Sequence, residues 1–123
     1  MKVLFVCTGN VARSPMAEAI FRDLTDGDRR HEARSAGTGS QATRRLTTRD
    51  LAWADVVAVM EPGHLAEIRV HWADQAHKVR VLGVPDDYDP DEPELRSLLM
   101  AKIRELLDPS GPGGAAARTR RGR

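Results

Sequence analysis

The stretch Val3-Leu4-Phe5-Val6-Cys7-Thr8-Gly9-Asn10-Val11-Ala12-Arg13-Ser14-Pro15 decides how this chain folds. Four apolar residues ending on a cysteine read as a buried strand. Gly9 and Asn10 supply a turn, because both tolerate left-handed backbone. Pro15 then falls in the first turn of a helix, where its missing N–H is tolerated. Strand, tight loop and helix start in that order aim successive backbone N–H groups at one point and add the helix dipole. Such a cradle binds a tetrahedral oxyanion such as phosphate. Arg13 brings a planar fork of donors that matches two oxyanion oxygens, a geometry lysine lacks. The same positive field favours the thiolate of Cys7, its nucleophilic form, and Ser14 is spaced to donate a hydrogen bond to it. A cysteine after a strand is often just a small buried apolar residue. Cys, Gly, Asn, Arg, Ser and Pro in this order and setting argue for chemistry instead.

Working outward, strands and helices alternate. A strand over about residues 2–7 leads to a helix from Pro15 to about Thr25, with Ala17, Ile20, Phe21 and Leu24 at helical spacing. Glu32 to Ala36 reads as a second strand, and Thr47 or Thr48 caps a short helix that reaches Trp53. Val56 to Met60 is an apolar third strand, Pro62 to Trp72 a helix, Val79 to Leu82 a fourth strand and Glu92 to Leu107 a long last helix. Strands separated by helices predict an α/β fold: a three-layer αβα arrangement on a four-stranded parallel sheet. In such sheets ligands bind beyond the carboxyl ends of the strands, where Cys7 would lie.

Length and composition set the class. One domain is expected from 123 residues, of which 41% are hydrophobic and 30% charged. A single cysteine excludes an internal disulfide framework and fits a reducing compartment. No apolar run is long enough for a membrane span or a signal peptide, so a cytoplasmic location is the expectation. Residues 110–123 hold four arginines and no acid, and without them the 19 basic residues fall below the 18 acidic ones. With no bulky apolar side chain, residues 109–123 read as a disordered basic tail behind a domain of residues 1–108. No nucleic-acid partner is expected, the tail's basic end being the one weak exception.

The segment Lys2 to Phe21 resembles the opening of the low-molecular-weight protein tyrosine phosphatases. Further likeness lies in Ser35-Ala36-Gly37-Thr38, in Asp50 to Met60 and around Val84-Pro85-Asp86-Asp87-Tyr88. The resemblance implies a phosphatase I-like fold and a Cys-x5-Arg-Ser loop in which Thr8, Gly9, Asn10, Val11, Ala12 and Ser14 line the phosphate site. It implies Cys7 as nucleophile through a phosphocysteine, Arg13 as phosphate clamp, and a phosphorylated protein or small aryl phosphate as substrate. By register with the family's Asp-Pro-Tyr, Asp86 is the general acid and base. Asp87 takes the proline position, and Asp89-Pro90 is a competing Asp-Pro pair. Tyr88 reads either as an aromatic wall for the substrate or as a loop anchor.

Other residues read more blandly. Trp53 and Trp72 are expected in helix packing, and Arg44 and Arg45 as solvated charges. His31, His64, His71 and His77 show no metal-ligand spacing, and neither a metal nor a cofactor is expected. His64 reads first as a helix-start residue that can also approach the pocket. Three departures from the family stand out. Ala12 replaces the second loop cysteine of many members, so Cys7 is expected to overoxidise readily. Only Gly39-Ser40-Gln41-Ala42 joins Thr38 to Thr43, a shortened flanking insert, and Asp87 replaces the proline. Two alternatives stay open: an arsenate reductase-like enzyme, which commonly relays oxidation through further cysteines, and a non-catalytic phosphate-binding module.

Overall fold

The computed structural model describes residues 1–108. The proposed basic tail therefore lies outside the described residues. The chain runs β1 (Lys2–Cys7), α1 (Arg13–Leu24), β2 (Glu32–Gly37), α2 (Thr48–Trp53), β3 (Val56–Val59), α3 (Pro62–His71), β4 (Val79–Val81) and α4 (Pro93–Leu107). All four strands are parallel, in the order β2-β1-β3-β4. The αβα architecture expected from the alternating pattern is present.

Because side chains alternate across a strand, β1 feeds two cores. Val3, Phe5 and Cys7 face α1 and α4, packing with Ala17, Ile20, Phe21, Leu95, Leu99 and Ile103. Leu4 and Val6 face the other way, toward Leu46, Leu51 and Ile68 of the α2–α3 side. Phe5 and Phe21 meet edge to face with ring centroids 5.8 Å apart, both fully buried. Trp53 and Trp72 pack at the margin of the α2–α3 core, as helix-packing residues. Arg34 covers the Trp53 ring at 4.1 Å.

Boundaries differ from expectation where pairing overrides propensity. β2 runs one residue further, because Gly37 pairs with Cys7. α1 starts at Arg13, two residues ahead of Pro15, which still lies in the first turn. A 3-10 helix, Ala73–Lys78, fills the connection to β4 that the sequence pattern left blank. α2 begins as Thr47 predicts: its hydroxyl accepts from the Asp50 N–H, and the Asp50 carboxylate accepts from the Thr47 N–H. Among the described residues no helix is long and apolar enough to cross a membrane.

The strand order places the site. From β1 the chain moves outward to β2, then returns past β1 to β3, so their carboxyl ends flank a topological switch point. Cys7 ends β1 there, and Glu61 follows β3 there. The ring pair behind this edge anchors α1. Phe21→Ala is expected to cost about 3–5 kcal/mol, read as a lower urea midpoint with an unchanged slope. A midpoint within error of the parent would show that the ring pair does not anchor α1.

Candidate active site

Cys7 is 2% exposed at the tip of β1. The chain then curls through Thr8 to Ala12, with Asn10 at φ 53° and its N–H donating to Cys7 Sγ over 3.2 Å. Asn10, not Gly9, is the loop residue that takes the left-handed backbone. Its side-chain amide donates to Ser14 Oγ at 2.9 Å and to Ser35 Oγ at 3.0 Å. Ser14 Oγ, which accepts from Asn10, lies 3.0 Å from Cys7 Sγ and 3.5 Å from Ala36 O, so its O–H is free to donate to a thiolate at Cys7. The buried amide of Asn10 thus orients the hydroxyl that steadies the sulfur.

The exit of β2 clamps the outer side of the loop. Thr38 N–H donates to Cys7 O, Gly39 N–H to Thr8 O, and Thr43 N–H to Gly9 O, at 3.0, 2.9 and 3.1 Å. Backbones come this close only because residue 37 is glycine. A Cβ there would lie 2.5 Å from Thr8 O. The short connection Gly39 to Ala42 is therefore a brace for the loop. Arg44 is not simply solvated, as expected: it donates to Ser35 O and to Asp50 Oδ1, both at 2.5 Å. Arg45 stays exposed.

α1 opens with Ala12 at its N-cap, without a side-chain cap and without an acid in the first turn. Its first N–H donors therefore meet neither a capping side chain nor an acid of their own turn, as suits an anion site. Arg13 is 3% exposed, and its NH1 donates to Val84 O at 2.8 Å and to Glu61 Oε2 at 2.5 Å. NH2 lies 3.6 Å from Asp86 Oδ1. A buried cation needs such partners, and here they fix one edge of the guanidinium.

Glu61 precedes α3 as its N-cap, its backbone carbonyl accepting from the His64 N–H at 3.0 Å while His64 Nδ1 accepts from the Glu61 N–H at 3.1 Å. With Nδ1 an acceptor, the neutral ring carries its proton on Nε2, which donates to Thr8 Oγ1 at 2.9 Å. His64 thus serves both the helix start and the pocket. Burial first, and the Arg13 charge second, push its pKa below the ordinary 6.5, against the opposing pull of Glu61, Glu67 and Asp86.

The predicted site residues therefore fall together: Cys7, Arg13 and Asp86 at one strand edge, with Thr8 to Ala12 around them. Asn10 and Ser14 sit buried under the loop, whereas Val11 is 62% exposed at its turn. Tyr88 is half-buried against the α1–α4 core. Asp87 is exposed, and the Asp89 backbone N–H binds Glu92 Oε1. Sequence reasoning missed Glu61 and Ser35. An acid directly after the third strand, next to the strand that ends on Cys7, was the available signal for Glu61.

Comparison with known proteins follows the same lines. The family description "Low molecular weight phosphotyrosine protein phosphatase" matches residues 2–52. A low molecular weight protein-tyrosine-phosphatase of Streptomyces coelicolor is 35% identical over 117 residues, 72% of this chain and 70% of its own. The chain belongs to the low-molecular-weight protein tyrosine phosphatase family. The low molecular weight protein tyrosine phosphatase of T. tengcongensis is 26% identical with a TM-score of 0.73, over 87% of this chain and 97% of its own. An arginine phosphatase of Geobacillus stearothermophilus, YwlE, is also 26% identical, with a TM-score of 0.66 over 86% and 92% of the two chains.

A depressed histidine pKa ties stability of this family member to pH. Below about 6.5 the unfolded chain binds a proton at His64 that the folded chain resists. This contribution is therefore flat above that pH and is lost progressively as pH falls below it. Urea midpoints at pH 7.5 and pH 5.5 should fall further apart in the parent than in His64→Gln. Equal spacing would place the acid sensitivity elsewhere.

Proposed function

We propose that the chain hydrolyses aryl phosphate monoesters, phosphotyrosine in proteins among them, through a phosphocysteine intermediate. The observation that carries this reading is the meeting of Cys7 Sγ, the side-chain-free start of α1 and the protein-held Arg13, with Asp86 beside the guanidinium. The Cys7 thiolate attacks phosphorus, forming an S–P bond as the ester P–O bond breaks. Loop N–H groups and the free edge of Arg13 hold the three equatorial oxygens, where charge spreads in the transition state. Asp86 gives its proton to the departing aryl oxygen. It then takes a proton from the water that attacks phosphorus, the S–P bond breaks, and phosphate leaves with the Ser14 hydroxyl again donating to sulfur.

Val11, apolar and exposed at the turn of the loop, suits the face of an aryl ring. Tyr88, on the segment that carries Asp86, packs one side against the α1–α4 core, and its exposed remainder is the nearest aromatic candidate on that segment for an apolar counterpart. The structural likeness to an arginine phosphatase gives a second reading, in which the phosphoryl group comes from an arginine side chain. A guanidinium leaving group seeks acceptors more than apolar surface, so Val11 favours the aryl substrate. Arsenate reduction by relay within the chain would need thiols beyond its one cysteine. A nucleophilic thiol also requires reducing conditions, which supports action in the cytoplasm.

Turnover of 4-nitrophenyl phosphate in the presence of chelator should be abolished by Cys7→Ser. Undiminished turnover in that variant would refute the mechanism. Asp86→Asn should lower kcat for phenyl phosphate by about 10²-fold or more and remove the high-pH limb of the profile. The same result from Asp89→Asn alone would move the acid three residues along the loop. Matched phosphotyrosine and phosphoarginine peptides should be cleaved with a preference for the former, and the reverse order would favour the second reading.

A further inference from the structure

Three features lie outside the chemistry described so far: a cleft beside Thr38, a basic surface at Arg34 and Arg44, and the His64 ring. The cleft holds Arg45 with Glu67 and His71, a mixture that selects no ligand class. Arg34 and Arg44 both lie at Asp50, which partners them. His64 is different. It is 4% exposed, and both ring nitrogens are committed, one to each half of the site.

We propose that His64 is a positioning residue of the phosphate loop, holding the Thr8 side chain through Nε2–H while its Nδ1 holds the Glu61 peptide whose carboxylate grips Arg13. The inference rests on the reading that residues 7–13 bind phosphate. Thr8 is exposed, follows the nucleophile directly and has a rotatable hydroxyl. Without a partner its side chain would sample several rotamers, and ordering them would fall to the binding step. The bond from Nε2 settles the rotamer beforehand. Because Thr8 Oγ1 accepts from His64, its own hydroxyl proton remains a donor at the mouth of the cradle. Glu61 extends the coupling, since the turn that presents its carboxylate to Arg13 is closed by His64 Nδ1. One neutral ring thus links the first residue of the loop to the clamp at its end. The expected consequence is on phosphate affinity more than on the chemical step.

The two nitrogens can be separated by substitution. His64→Asn keeps an acceptor near the Nδ1 position and removes the donor to Thr8. His64→Gln places a donor near the Nε2 position. Thr8→Val removes the hydroxyl at nearly constant shape. The readout is protection of Cys7 from alkylation by iodoacetamide as inorganic phosphate is titrated, which needs no turnover. His64→Asn and Thr8→Val should each weaken protection by about three- to tenfold. Their double variant should be no weaker than Thr8→Val alone, and His64→Gln, which restores the donor to Thr8 but not the Nδ1 acceptor, should recover part of the loss. With 4-nitrophenyl phosphate the loss should appear in KM, with kcat within about twofold. Unchanged protection in His64→Asn, multiplied losses in the double variant, or no recovery in His64→Gln would each overturn the proposal. Absence of phosphate protection in the parent would overturn it together with the phosphate-loop reading. Protection without hydrolysis of any phosphomonoester would defeat the phosphatase reading alone.

Discussion

Everything at the carboxyl edge of the sheet is arranged around one buried guanidinium. Arg13 is 3% exposed, and a cation taken from water to that depth is destabilising unless its donors find acceptors. The acceptors come from three different segments. Val84 O follows β4, Glu61 follows β3, and Asp86 stands in the connection to α4. No short piece of sequence supplies all three. They converge because a parallel sheet brings the carboxyl ends of its strands to one side, and because β1 lies between β2 and β3. The charge needs the fold, and the fold places the charge where a ligand can use it.

The loop itself is held from below and from outside by different means. Underneath, the Asn10 amide spans Ser14 and Ser35, joining α1 to β2 through three small polar side chains. Outside, the β2 exit makes backbone bonds to the carbonyls of Cys7, Thr8 and Gly9. In a trans peptide the N–H lies opposite the carbonyl, so these bonds turn the N–H groups of Thr8, Gly9 and Asn10 away from the brace, and that of Asn10 reaches Cys7 Sγ. A preorganised set of donors has little reorganisation to undergo when charge develops. The shortened β2–α2 connection does not weaken this brace, because the bonds come from the backbone of its two ends.

The local elements of this fold were legible in the sequence, and the strand-to-loop-to-helix unit most of all, since its chemistry is contiguous. Cys7, Arg13 and Ser14 lie within eight residues, and their relation follows from one turn and one helix start. Asp86 was legible only by resemblance, as nothing in its own neighbourhood separates it from Asp87 or Asp89. Glu61 and the Thr8–His64 bond were not legible, because they join residues more than 45 positions apart across neighbouring strand ends. Of the two loop residues read as tolerating left-handed backbone, Asn10 is the one that adopts it. The side chain that Asn brings is needed beneath the loop, and glycine could not provide it.

The two carboxylates beside Arg13 are not equivalent, and their difference suits the proposed reaction. Glu61 is 2.5 Å from NH1 and is fixed by the first turn of α3. Asp86 is 3.6 Å from NH2 and 72% exposed, on a segment with no helix or strand of its own. Bonds that hold a side chain in place suit a permanent partner. A longer, solvent-screened contact suits one that must yield. An arriving phosphate dianion competes with Asp86 for the open edge of the guanidinium but leaves the Glu61 edge undisturbed. Arg13 can therefore receive substrate without losing its anchor. In the proposed reaction the displaced carboxyl stays near the ester oxygen that it would protonate.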